Sequence, residues 1–298
     1  MTARHAQRLG RLGVWNWLDG LSAVQAAELA RQVEDWGYSA LWIPEAVGRD
    51  PFTIISWLAA HTQRLVFATG IANIYARDPM AMRAIQQTVG ELAGGRFVLG
   101  LGVSHVPLVA GMRGHAYGKP VATMRAYLEA MEKATYLGPA PAEETPIVLG
   151  ALRQRMLELS GAQCAGAHPY NVTPEHTARA RKILGQGPTL APEQMVLRET
   201  DPAKARAIAR RHLAPYVELP NYRRNWQWLG FGDADFADGG SDRLIDAVVA
   251  WGEEPAIAAR IRAHFDAGAD HVAIQALRPD GERGPDLGLL AALAPRSQ

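Results

Sequence analysis

The chain has 298 residues, 48% of them hydrophobic, and a formal net charge of +1 from 31 basic and 30 acidic side chains. That balance excludes the basic footprint of a nucleic-acid binder and the charge excess of a disordered chain. The single cysteine, Cys164, excludes an internal disulfide framework or a cysteine-based zinc site.

The N-terminal stretch MTARHAQRLGRLGVW has no apolar core of a targeting signal, and no apolar run reaches the ~18 residues needed to cross a bilayer. A soluble, cytoplasmic protein without a membrane partner is the expectation. In chain order a short apolar strand, a loop and an amphipathic helix recur. Strands are expected at 12–17, 40–43, 65–69, 97–101, 147–149, 163–167, 195–198 and 271–275. All are short and almost continuously apolar, as strands covered on both faces must be. Helices are expected at 22–36, 51–61, 79–93, 121–137, 152–160, 174–184, 202–217 and 255–267. Four of them open on Asp50-Pro51, Asp78-Pro79, Thr173-Pro174 and Asp201-Pro202. The first side chain of each pair caps free N–H groups, and the proline takes a position whose N–H has no partner anyway.

This alternation predicts an α/β chain folded as one (β/α)8 TIM barrel over residues 1–298, with an open doubly wound sheet as the other arrangement it allows. One segment, 218–251, interrupts the rhythm between strands seven and eight. It carries Tyr222, Trp226, Trp228, Phe231 and Phe236 together with Arg223 and Arg224. It is either an extra helical cap or a wall over an apolar substrate.

Barrel chemistry gathers at the carboxyl ends of the strands. Read there, the chain offers Trp15, Asn16 and Trp17, then Glu45, then Gly70 to Tyr75 with Arg77, then Ser104 and His105, then Gly150 to Arg153, then His168, Tyr170 and Asn171. His105 is the best acid/base candidate, because imidazole titrates near neutrality; the alternative is a histidine that caps a turn. His168 lies before Pro169 and reads more as a structural residue. Glu45 is either a buried acid or, preferably, an anion at a helix mouth. Gly150, just ahead of a helix that Arg153 adjoins, marks an anion site or an ordinary short loop. Gly100 and Gly102 form only part of a dinucleotide fingerprint. There is no H-E-x-x-H, no G-x-S-x-G and no Walker loop, so no metal site is expected. Cys164 falls inside an expected strand and reads as packing.

The run ATGIANIYARDPMAMRA at 68–84 and GGRFVLGLGVSH at 94–105 resemble the luciferase-like monooxygenase family, in its actinobacterial branch that uses the deazaflavin F420. LWIPEA at 41–46, GAHPYNVTPEHTARA at 166–180, LAPEQMVL at 190–197 and DAGADHVAIQ at 266–275 extend the likeness over nearly the whole chain. The resemblance implies a non-prolyl cis peptide at Gly70-Ile71 behind a flavin-like ring, with Asn73 near the ring edge or substrate and His105 at the proton-donor position. It places the cofactor's phosphate against Gly150, Ala151, Leu152 and Arg153 and against Gly166, Ala167 and His168, with Ser104 beside the cofactor. In the family's deazaflavin sugar-phosphate dehydrogenases the proton-donor position is a glutamate, and a histidine and a tryptophan follow strand two. Here Ala46 stands at that histidine position and the tryptophan is missing, so that mechanism does not carry over. The expected activity is hydride transfer between F420 and a small, largely apolar organic substrate lodged among Trp15, Trp17, Glu45, Tyr170 and Trp226. An FMN-dependent monooxygenase and a non-catalytic flavin-binding barrel are the alternatives. Arg77, Arg223 and Arg224 are candidates for the cofactor's acidic tail, and a homodimer is in keeping with the family.

Overall fold

A computed structural model describes residues 9–282 and 284–295, so the ends of the expected 1–298 span lie outside the described residues. The strands are β1 (Leu12–Trp15), β2 (Ala40–Ile43), β3 (Val66–Thr69), β4 (Ala72–Asn73), β5 (Phe97–Gly102), β6 (Ile147–Leu149), β7 (Gly166–Ala167), β8 (Thr189–Leu190), β9 (Glu193–Leu197), β10 (Ala250–Trp251) and β11 (Val272–Leu277). The helices are α1 (Ala23–Asp35), α2 (Pro51–Ala59), α3 (Pro79–Leu92), α4 (Pro120–Lys133), α5 (Gln154–Gln163), α6 (Pro174–Leu184), α7 (Pro202–Val217), α8 (Pro220–Trp228), α9 (Asp242–Val248), α10 (Glu254–Asp266) and α11 (Leu287–Ala292).

Every strand pair is parallel, and the sheet runs β10-β9-β11-β1-β2-β3-β5-β6-β7-β8. β8 and β9 are one strand position, separated only by Ala191 and Pro192, and the short β10 adds to β9 outside that ring. β8 pairs with β7 on one side, and β9 pairs with β11 on the other. The ring is therefore closed, as a barrel with eight strand positions, and the open-sheet alternative falls. Among the described residues no helix is long and apolar enough to cross a membrane.

The helix starts follow the local chemistry expected of them. Asp50 accepts from the Thr53 N–H, Asp78 from Met80 and Ala81, Thr173 from His176, and Asp201 from Ala203 and Lys204. Ser22 closes a reciprocal capping box with Gln25. Inside the ring lie Trp15, Ala40, Trp42, Ala68, Val98, Val148, Ala191 and Ala273, and a separate outer cluster packs the strands against the helices.

Several boundaries differ from expectation: β1 stops at Trp15 rather than 17, α4 stops at Lys133 rather than 137, and two differences change the reading. α5 runs to Gln163, so Cys164 caps a helix end and only Gly166–Ala167 form the sixth strand. The buried face of Met156, Leu157, Leu159 and Ser160 ends where the stop was expected, and the extra turn at 161–163 is largely solvent-facing, closed by the Cys164 N–H donating to the Ser160 carbonyl. The seventh strand begins at Thr189, six residues early, and is divided where Pro192 lacks an N–H to donate. The 218–251 segment forms α8, a 3-10 turn at Asp233–Gly239, α9 and β10, whose aromatic residues Trp226, Phe231 and Phe236 pack against α7.

Candidate active site

The carboxyl ends of the strands surround a cavity of ≈ 330 Å³, whose floor is the bulge between β3 and β4. The Gly70–Ile71 peptide there is cis, at the position the resemblance marked. Gly70 N–H donates to Ile43, and Ile71 accepts from Glu45, so the bulge is stitched to β2. The Ile71 side chain rests against glycines: a Cβ on Gly102 would lie 2.4 Å from its Cδ1, and one on Gly150 would lie 3.3 Å from its Cγ2. Gly100 is tighter still, since a Cβ there would lie 1.9 Å from the Thr69 carbonyl oxygen. Gly100 and Gly102 thus seat the bulge rather than a dinucleotide.

One wall is aromatic. Trp15 meets Trp17 edge-on at 5.5 Å and Tyr170 at 4.9 Å, and Tyr216 and Tyr222 continue the wall. Tyr170 donates its hydroxyl to Gln275 Oε1 at 2.9 Å. Opposite, Ser104 adopts φ 55°, a left-handed turn that swings His105 toward the cavity. Tyr117 steadies that turn by donating to the Ser104 carbonyl at 3.1 Å. His105 lies 5.6 Å from the Tyr222 ring, and α8 also supplies Asn221 to it as a side-chain hydrogen-bond partner. Burial pushes the His105 pKa below its ordinary 6.5, with the Asn221 bond acting in the opposite direction. The imidazole is therefore neutral at pH 7.

Trp15, Trp17, Glu45, Gly70, Ile71, Ser104, His105, Gly150, Ala151, Leu152, His168 and Tyr170 all line this cavity, as their strand-end positions imply. Glu45 is an ion-pair partner as well: Oε1 takes Arg77 Nη1 at 2.7 Å while Oε2 accepts from the Asn73 N–H at 2.8 Å. Arg77 also pairs with Asp50, and Arg223 is held by Val217 and Glu218, which leaves Arg224 alone of the three expected arginines at a cavity.

Other expected residues lie elsewhere. Asn73 is fully buried, and its Oδ1 turns back to accept the Tyr75 N–H, so its side chain does not reach the cavity. Trp226 is fully buried against Tyr222 and Phe236, donating to the Asn171 carbonyl. Gly166 and Ala167 are barrel residues; a Cβ on Gly166 would lie 2.0 Å from the Thr189 carbonyl oxygen. The N–H groups of Gly150 and His168 are occupied within the barrel by Leu101 and Leu149, so neither is available to an anion. Tyr216 and Asn221, which no strand-end reading picks out, complete the wall.

A second, larger cavity of ≈ 850 Å³ shares Val103, Ser104, Gly150, Leu152 and Asn221 with the first and opens over the start of α5. Arg153, the N-cap of α5, makes no side-chain capping bond, and while the Met156 N–H donates to its carbonyl, the Gln154 and Arg155 N–H groups of the first turn stay available to an anion. Arg153, Arg155 and Arg224 line this lobe, and none has an ion pair among the described residues. Burial and the neighbouring Arg224 both weigh against the Arg153 charge, so the lobe carries uncompensated positive charge.

A sequence model described as luciferase-like monooxygenase matches residues 10–271. A relative named "Putative coenzyme F420-dependent oxidoreductase Rv3520c", from Mycobacterium tuberculosis, is 34% identical over 191 residues, 54% of this chain and 55% of that protein. The chain thus spans about half the length of that relative. An F420-dependent secondary alcohol dehydrogenase with an F420-acetone adduct superposes with TM-score 0.72 at 12% identity, covering 96% of each chain. The FMN complex of the oxygenating constituent of 3,6-diketocamphane monooxygenase from Pseudomonas putida superposes with TM-score 0.66 at 17% identity, covering 97% of this chain and 99% of that one. At such identities these two share the fold.

Proposed function

The chain belongs to the luciferase-like monooxygenase family, and from that premise we propose that it is an F420-dependent oxidoreductase moving a hydride between the deazaflavin and a small, largely apolar organic substrate. The observation that carries this reading is the two-lobed cavity. Its inner lobe is floored by the Gly70–Ile71 bulge and walled by aromatic rings, and its outer lobe sets Arg153, Arg155 and Arg224 at an uncapped helix start. A planar ring joined to a multiply charged acidic tail matches both lobes in shape and charge.

The residues present fit the cofactor. The Gly70–Ile71 bulge would back the ring, and the α5 start with its arginines would hold the phosphate and acidic tail. When bound, the deazaflavin supplies a ring carbon that takes up or releases a hydride. The chain's own part is binding, dryness and the proton. Trp15, Trp17, Leu108 and Tyr170 line the inner lobe with apolar surface, which would exclude water once a ring and substrate fill it. His105, neutral and aimed into the slot, receives the proton of a substrate hydroxyl at Nδ1 or Nε2, or returns it in the reverse direction. Asn221 and Tyr222 hold the imidazole in place.

FMN in the same slot is the second reading, favoured by the superposition on an FMN complex. The outer lobe weighs against it, because three arginines in ≈ 850 Å³ exceed what one phosphate monoester requires. Titrating the purified protein with F420 and with FMN, followed by ring fluorescence, separates them. F420 should bind at least about tenfold more tightly, a difference of about 1.4 kcal/mol. Tighter binding of FMN favours the monooxygenase reading, and binding of neither ring removes both.

A further inference from the structure

His168 carries an unused acceptor at the bottom of the inner lobe. Its Nδ1 lies 2.7 Å from the Ala191 carbonyl oxygen, which can only accept, so Nδ1 holds the proton and Nε2 keeps a bare lone pair. The residue is 1% exposed, and Nε2 has no hydrogen-bond partner. Leaving a buried polar atom unsatisfied costs about 1–3 kcal/mol, so such an atom calls for a partner.

The ring cannot turn away from this arrangement without breaking the Ala191 bond. It stacks on Trp42 at 4.1 Å and 12°. Trp42 donates its Nε1–H to His271 Nε2 at 3.0 Å, and His271 Nδ1 in turn donates to the Gly10 carbonyl at 3.0 Å. Burial pushes the His168 pKa down to about 4, so the lone pair is present at neutral pH. The space beside it is kept clear by a glycine: a Cβ on Gly70 would lie 3.1 Å from Nε2 and 2.6 Å from Trp15 Nε1. The neighbouring Trp15 N–H is already committed to the Gly70 carbonyl. Both Gly70 and His168 line the cavity.

We propose that His168 is a ligand-binding residue of the inner lobe, its Nε2 accepting a hydrogen bond from a neutral N–H or O–H of the molecule lying over Gly70 and Ile71. This rests on the two-lobed cavity being a cofactor and substrate site. The donor has two sources, an imide N–H on the edge of a flavin-type ring or the hydroxyl of an alcohol substrate. A carboxylate or other pure acceptor is disfavoured at this position, because it would set lone pair against lone pair.

The test uses the unmodified chain labelled with nitrogen-15 in its histidines, the His168 signals being assigned by their loss in His168→Phe. In the ligand-free protein Nε2 should resonate as a bare lone-pair nitrogen. Addition of F420 alone should move it upfield if the ring supplies the donor. Movement only when 2-propanol follows F420 assigns the donor to a substrate hydroxyl. His168→Phe, if folded, should weaken the responsible ligand about tenfold, as loss of one buried hydrogen bond predicts. An Nε2 signal that stays still even after 2-propanol has followed F420, while fluorescence shows F420 bound, overturns the inference and leaves the cofactor reading intact. So does a signal already shifted before any addition, which would mean an internal water. Failure of F420 and FMN to bind removes the reading of the site and this inference with it.

Discussion

The indole Nε1 of Trp15 donates to the carbonyl oxygen of Gly70 at 2.9 Å, tying the end of β1 to the bulge that floors the cavity. Trp15→Phe keeps most of the aromatic wall and leaves that buried oxygen unpaired. The expected cost is about 1–3 kcal/mol of stability, read by thermal unfolding. F420 affinity should fall with it by about tenfold or less. An unchanged melting temperature and affinity would show that the bond does not hold the floor.

Gly100 leaves no room for a methyl group, because the obstacle is the Thr69 main chain and not a side chain that can rotate. Thr69 Oγ1 also bonds both the N–H and the carbonyl of Gly100, at 2.8 and 2.7 Å. Gly100→Ala should destabilise by about 3 kcal/mol or more. Gly20→Ala, where a Cβ meets nothing within 4 Å, should stay within about 0.5 kcal/mol of the parent. Urea denaturation of the pair compares them directly, and equal midpoints would contradict the packing assigned to Gly100.

Arg224→Ala removes one of the three unpaired cations of the outer lobe. F420 should bind about tenfold more weakly, and the salt dependence of its binding should flatten. Titrations at low and high ionic strength check both. An unaltered affinity at low salt would remove the outer lobe from cofactor binding.

His105→Ala should lower turnover by about 10²–10⁴-fold while F420 still binds, since the loss falls on proton transfer. Burial places the His105 pKa below 6.5, so the acidic limb of the rate profile should lie below 6.5 in the parent. The Asn221 bond favours the protonated imidazole, so Asn221→Ala should move that limb to still lower pH. A limb that moves upward in Asn221→Ala would falsify the pairing.

Acid should unfold the chain through its buried imidazoles. Burial pushes His168, His176 and His271 down to about 4 and His264 to about 3. The unfolded chain takes up their protons from about 6.5 downward while the folded chain does not, so stability is lost as pH falls from 6.5 toward 4. Each histidine contributes on the order of 2 kcal/mol to this loss by pH 5. Calorimetric melting at pH 7, 6 and 5 should fall steadily, and a flat profile would show the imidazoles to be better solvated than they are placed.

Glu193 acts with the opposite sign. Burial raises its pKa to about 8, so the folded chain keeps a proton that the unfolded chain loses near 4.5. Its contribution becomes unfavourable as pH rises from about 4.5 to 8. Glu193→Gln removes that dependence, so the variant should gain stability relative to the parent between pH 5 and pH 8, by a few kcal/mol at most, of the order set by ~1.4 kcal/mol per pKa unit. Parallel urea curves at those two pH values measure it.

The barrel was legible because parallel strands buried on both faces leave apolar runs, and because Asp-Pro and Thr-Pro pairs announce helix starts by local chemistry alone. The strand-end rule then brought Trp15, Gly70, Ser104, His105 and Tyr170 to one cavity. What stayed hidden depends on orientation or on distant contacts. Asn73 sits beside the bulge in sequence, but its side chain serves the Tyr75 N–H. Tyr222 and Trp226 are one helical turn apart and equally aromatic, yet Tyr222 lines the cavity and Trp226 packs behind it. Asn221 has no local signal at all; only the docking of α8 onto the barrel brings it to His105. The start of the seventh strand was obscured by Pro192, which a local reading takes for a break and the barrel uses as its seam.

His105 comes from a barrel strand end, whereas Asn221 and Tyr222, which hold it, come from the segment at 218–251. The acid–base setting of the site is therefore modular: grafting a different sequence onto that one segment would retune the imidazole, and with Arg224 one cation of the outer lobe, while the Gly70–Ile71 ring seat and the arginines at the start of α5 kept their own framework. Changes of chemistry within this architecture need not begin in the barrel at all.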